Sequence, residues 1–222
     1  MAPQRRSDGS GGAQPAGVDV VVEALQAPFE AHGFRHRRAH VYTLALPGGV
    51  LGVVTLGYIA SPGDPWVVTP RPDVGVYHPA VERIVAELGN RKPHPYAPPT
   101  IIRSLGEMAQ QGLFDTAWQC GPGRIAEPTA TVVAALVEYG LPFLRSHTEL
   151  PALLAAMRQG WCREPEYRVP VVLALLGQGA AAQADLDRVA AALGTRADRA
   201  AQTWRQFATA FRGYDWPVSE VT

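Results

Sequence analysis

The chain has 222 residues, of which 47% are hydrophobic and 18% charged, a globular balance long enough for one large packed unit or two small ones. Twenty basic residues face twenty acidic ones, and the balance also holds locally: residues 18–125 carry nine of each sign, residues 126–222 nine basic and ten acidic. That excludes the basic excess of a nucleic-acid footprint, and no apolar run reaches the ~20 residues of a membrane span.

Residues 1–17, MAPQRRSDGSGGAQPAG, are rich in Gly, Pro, Ser and Gln and are expected to be a disordered tail. Their arginines have no apolar core behind them, so no secretory signal is expected. The first helix is predicted over VDVVVEALQAPFEAHGF, with Asp19 as N-cap and Val21, Leu25 and Phe29 on one face. Pro28 is expected to kink or divide it and Gly33 to stop it.

Two extended segments, Val41–Leu46 and Val50–Tyr58, are joined by PGG as a hairpin, and SPGDP closes the second. A third runs from Trp66 to Tyr77; Pro70 and Pro72 cannot donate to a ladder, so that part belongs on an edge or at a break. HPAVERIVAELGN carries the clearest helical stripe, Val81, Ile84, Val85 and Leu88, with Pro79 at its start and Gly89 at its end. Arg91–Thr100 is a proline-rich loop, and TIIRSLGEM and LFDTAWQC are predicted as two further strands, the first with a short helix as its alternative.

From Glu127 the pattern is helical. TATVVAALVEY is predicted to stop at Gly140, and Thr148 is preferred over Ser146 as the next N-cap because it leaves Pro151 in the first turn. VPVVLALLG, AAAQADLDRVAAALG and DRAAQTWRQFATAFRGY complete an Ala-rich tail. The fold class is therefore α+β: an antiparallel sheet of about four to five strands with helices on one face, and an Ala-rich helical C-terminal part. The division is a tail (1–17), a sheet part (18–125) and a helical part (126–222) packed on it as one compact unit.

Arg35, His36, Arg37, Arg38 and His40 are the one dense basic cluster. On a continuous strand His36, Arg38, His40 and Tyr42 would share one face, and Arg35, Arg37 and Ala39 the other. Such arginines suit an anion, but a solvated strand end is the simpler expectation. His36 and His40 would stand about 13 Å apart on a strand, too far to chelate one ion, so no metal or other cofactor is expected. GQGAAA, residues 177–182, imitates a dinucleotide fingerprint but lacks a returning strand and is expected to be a helix–glycine–helix turn.

No G-x-S-x-G, Walker or HExxH motif is present, and nothing pairs the acids Glu107 and Asp115. Cys120 and Cys162 have no CxxC spacing and are expected to be buried thiols of a cytoplasmic protein. The five tryptophans, Trp66, Trp118, Trp161, Trp204 and Trp216, are of a type more often found in the core or at domain contacts than as stacking platforms.

LQAPFEAHGFRHR, VLGVVTLGY, PDVGVYHP, TAWQC and EYGLPFL, in that order, resemble the bacterial family called domain of unknown function 4304, across about residues 18–157. The resemblance implies a starting helix, a short antiparallel sheet and a helix ending near Pro-Phe; it carries no activity and no functional residue. The expected function is non-enzymatic: a protein-binding accessory factor, immunity-like or a scaffold of a bacterial toxin or defence system, with a protein partner and neither nucleic acid nor membrane. Its expected surface is Arg37, Arg38, His40, Trp66 and Arg71. The alternative is an enzyme or small-ligand protein with Arg38, His40, His78 and Trp118 facing a pocket between sheet and helices.

Overall fold

The computed structural model describes residues 16–38, 40–110 and 116–216. Five antiparallel strands lie in the order of the chain: β1 (Arg35–His36), β2 (Val41–Ala45), β3 (Leu51–Ser61), β4 (Asp64–Tyr77) and β5 (Ile101–Ser104). PGG closes β2 on β3 as a single 3₁₀ turn, and β3 and β4 form the longest ladder, from Leu51↔Tyr77 to Ser61↔Asp64. β5 pairs only with Asp73–Val76, so Pro70 and Pro72 lie where β4 has β3 on one side alone, and their missing N–H groups leave no gap in the ladder.

The register assigns Tyr42, Gly52, Val54, Val74, Val76 and Ile101 to one face. Helix α1 (Ala16–Ala31) lies on it through Val18, Val21, Leu25 and Phe29, the Phe29 ring meeting Tyr42 edge-on at 5.0 Å. Burial of each large side chain of this stripe contributes roughly 1.5–3 kcal/mol. Gly52 leaves room on the same face for Leu144 of α5 (Leu141–Ser146). On the other face are Thr43, Val53, Gly75 and Tyr77. There the proline-rich segment after α2 (Pro79–Leu88) covers them: Pro99 packs on Gly75, and the Tyr77 hydroxyl donates to the His94 carbonyl.

Beyond β5 come α3 (Leu105–Met108), α4 (Ala126–Ala135), α5, α6 (Leu150–Arg158), α7 (Pro165–Leu175), α8 (Gly179–Leu193) and α9 (Arg199–Arg212). One continuous apolar cluster runs from Val18 to Phe211, so sheet and helices share a core.

Several local expectations are corrected. α1 begins at Ala16, so Ala16 and Gly17 are helical and Asp19 sits inside the first turn rather than at the cap; its carboxylate still suits the positive end of the helix. The helix continues through Pro28 to Ala31. TATVVAALVEY does not stop at Gly140: a π turn over Leu136–Gly140, in which Leu141 N–H donates to the Leu136 carbonyl, carries the chain into α5 and absorbs the donor missing at Pro142. Glu149, not Thr148, caps α6, with Pro151 in the first turn. TIIRSLGEM divides into β5 and α3. LFDTAWQC is not a strand over its described part: Cys120 makes one isolated bridge to Val68, and residues 113–115 lie outside the described residues, as does residues 1–15 of the expected tail.

Candidate functional site

The basic stretch at the head of the sheet does not form one surface. After β1 the chain turns, with Arg37 N–H donating to the Val41 carbonyl at 2.9 Å and Val41 N–H to the Arg38 carbonyl at 3.1 Å. Strand alternation therefore ends at His36, and Arg38 and His40 do not share a strand face. Arg37 Nε donates to Thr43 Oγ1 at 2.8 Å, on the face that the proline-rich segment covers. Arg38 reaches that segment itself, its Nη2 3.1 Å from His94 Nε2. An arginine can only donate, so Nε2 is the acceptor in this pair. His40 goes the other way, its ring edge-on to Tyr58 at 6.0 Å.

Arg71, opposite Gly57, lies on the Thr43 face. A methyl group on Gly106 would stand 3.6 Å from Arg71 Nη1, Ser104 Oγ and the Trp118 ring alike, so the structure brings Arg71 and Trp118 together. Asp73 is opposite Ser104 in the same region; burial pushes its carboxyl up, with Arg163 pulling it down and Glu107 raising it again. The Glu107 charge thus acts on Asp73, while Asp115 lies outside the described residues.

Arg38, His40, His78 and Trp118 do not line a common pocket. The His40 carbonyl takes the Leu56 N–H, whereas His78 follows Tyr77, which is opposite Leu51; five residues of β3 separate these points, roughly 17 Å. Burial lowers the His78 imidazole pKa, against the raising influence of Glu149 and Glu82. Trp66 is likewise about 20 Å along β4 from Pro72, the residue level with His40, so it does not adjoin the arginines.

Trp66 belongs instead to a groove beside the first turns of α1. Asp64 Oδ1 accepts its N–H at 2.9 Å, and Gly17 packs so tightly that a Cβ there would lie 2.5 Å from the Trp66 carbonyl. The indole remains 51% exposed and Val20 40%. With Pro122 and Ile125 they line a groove of about 430 Å³ whose walls are almost wholly apolar. Its far wall is held by the paired Val68–Cys120 hydrogen bonds (3.0 and 2.8 Å) and by the Gly121–Arg124 pair (3.1 and 2.9 Å). Tyr58 and Ile59, on the same hairpin, are also exposed.

A second feature lies on the opposite side of the molecule's sheet, between α2, the proline-rich segment and α7. Arg168, 2% exposed, donates from Nε and Nη2 to the two oxygens of buried Glu82 at 2.8 and 2.9 Å. Its Nη1 reaches the Arg163 carbonyl at 2.8 Å and Glu164 Oε2 at 3.4 Å. A cavity of about 120 Å³ opens above this pair, lined also by Arg91, Lys92 and His94. Sequence reasoning missed both Glu82 and Arg168; α2 also carries Arg83 and Glu87, and α7 also carries Glu166, so nothing in the sequence singled out this pair.

Cys120 and Cys162 are unpaired thiols, pushed up by burial to about 11 and about 12. The thiolate is the nucleophile, so at pH 8 the folded protein is expected to react with a disulfide reagent roughly a hundredfold more slowly at Cys120 and roughly a thousandfold more slowly at Cys162 than in denaturant, read by thiol titration. Among the described residues no group of three or more His, Cys, Asp or Glu is placed to hold a metal ion, and no helix is long and apolar enough to cross a membrane.

No protein-family model, curated protein or solved structure matches this chain.

Proposed function

We propose that this chain is a non-enzymatic protein-binding module that docks a protein partner in the groove formed by Val20, Trp66, Pro122 and Ile125. The observation that carries this reading is the half-exposed Trp66 indole in an apolar groove whose backbone is already fixed on both sides. Exposed tryptophan in an apolar, pre-organised setting is the chemistry of an interface anchor, because burying it gains area with little side-chain entropy lost. The arginines named from the sequence are not part of this groove; Arg37 and Arg38 serve the opposite face. Kinship with the domain of unknown function 4304 family, an immunity-like or scaffolding role in a bacterial toxin or defence system, and work in the cytoplasm complete the proposal. The charge balance supports a protein rather than a nucleic acid as partner.

The test is parallel affinity purification of tagged wild type and the Val20→Ser/Trp66→Ala variant from the native host. One stoichiometric protein is expected with wild type and at least tenfold less of it with the variant, the thermal midpoints agreeing within about 2 °C. Equal recovery, or background proteins alone with wild type, overturns the proposal.

A further inference from the structure

We propose that the cavity beneath the proline-rich segment is a binding site for a phosphate group, held by Arg91 and Lys92 at its rim and by Arg168 at its floor. The charge around it is uneven. Three cations, Arg91, Lys92 and Arg168, face two carboxylates, Glu82 and Glu164, leaving a net charge of +1. Both Glu82 oxygens are already engaged by Arg168, so its negative charge is largely spent within the cavity wall. Arg91 and Lys92 are exposed and have no ion-pair partner among the described residues, so their donors are open to a ligand.

Arg168 supplies the floor. A guanidinium has five N–H donors; four contacts are made, to Glu82 twice, to the Arg163 carbonyl and to Glu164, so one Nη2 hydrogen is left over. The roof is pre-formed. The His94 carbonyl takes the Tyr77 hydroxyl, its ring meets Arg38, and Thr100 N–H donates to the Val76 carbonyl at 2.7 Å while its Oγ1 accepts from His78 N–H at 2.9 Å. A space of about 120 Å³ takes one compact oxyanion, and forked guanidinium donors with an ammonium match a tetrahedral phosphate. Glu164, half-exposed in the same lining, opposes the anion, so binding is expected to be weak, with a dissociation constant of about a millimolar.

The test uses the full chain at constant ionic strength, with inorganic phosphate, glycerol phosphate and acetate as probes and chloride as compensating salt. About 10 mM inorganic phosphate is expected to raise the wild-type thermal midpoint by about 3 °C, and acetate by less than a third of that. The exposed-rim variant Arg91→Gln/Lys92→Gln is expected to keep its own midpoint and lose most of the phosphate shift; Lys92→Ala alone should halve it. A shift with inorganic phosphate only assigns the site to free phosphate, and an equal or larger one with glycerol phosphate assigns it to the phosphoryl end of a larger metabolite. No wild-type shift, or an undiminished shift in both variants, overturns the proposal.

Discussion

Glu82→Ala is expected to cost about 3 kcal/mol of folding stability, among the largest effects of any single substitution in this chain, because it removes the bidentate partner of the buried Arg168 guanidinium and leaves it only the longer 3.4 Å contact to the half-exposed Glu164. Burial alone would lower the Arg168 pKa, and in the wild type the Glu82 hydrogen bonds and charge outweigh it; in the variant that support is gone, yet a guanidinium is too basic to shed its proton, so the charge stays buried. The pair joins α2 to α7, 86 residues apart, and so ties the sheet part to the helical part. Replacing both partners by apolar residues, Glu82→Leu with Arg168→Met, is expected to recover most of the loss, since neither charge then needs solvation. Urea unfolding of the wild type, both single variants and the double variant gives the coupling directly. A single-variant loss below about 1 kcal/mol would mean that water reaches Arg168 and that the helices are not tied here.

Gly75→Ala is expected to cost about 1–3 kcal/mol, toward the upper end, although it adds only a methyl group. That methyl would stand 2.6 Å from the Ile101 carbonyl and 2.7 Å from Pro99 Cβ. Neither neighbour can yield alone. Ile101 is paired with Val76 in β5, and Pro99 sits between the anchored His94 and Thr100. The substitution must therefore push either a strand or the roof of the phosphate cavity. Gly48→Ala is the comparison: its φ of 68° strains alanine, but nothing lies within 4 Å, so only the backbone cost of about 1 kcal/mol remains. Equal urea midpoints for Gly75→Ala and wild type would show that the loop gives way.

What could be read from the sequence was what local chemistry decides. The Val81–Leu88 stripe, the PGG hairpin and the glycine turn after Leu175 follow from spacing and from residues that need or supply particular backbone angles, and all three recur in the structure. The turn after His36 was missed because Arg37–Val41 contains neither Gly nor Pro to mark it. The continuation through Gly140 was missed because a π turn can absorb the donor that Pro142 lacks, which propensity does not show. The site was less legible than the fold. Trp66 was singled out, but five tryptophans look alike in sequence, and its half-exposed place in a groove beside Gly17 is set by the fold. Arg71 and Trp118 were assigned to different surfaces and meet beside Gly106. Glu82 and Arg168 sit in separate helices that carry other charges, and no spacing rule couples residues so far apart.

Hydrogen exchange of the complex against the free protein locates the partner on the molecule. Protection is predicted over residues 16–22, 58–68 and 121–126, the walls of the Trp66 groove and its hairpin, with the Arg91–Thr100 segment unchanged. Protection confined to Arg35–His40 or to the proline-rich segment would rule out the Trp66 groove and return the interface to the arginine face.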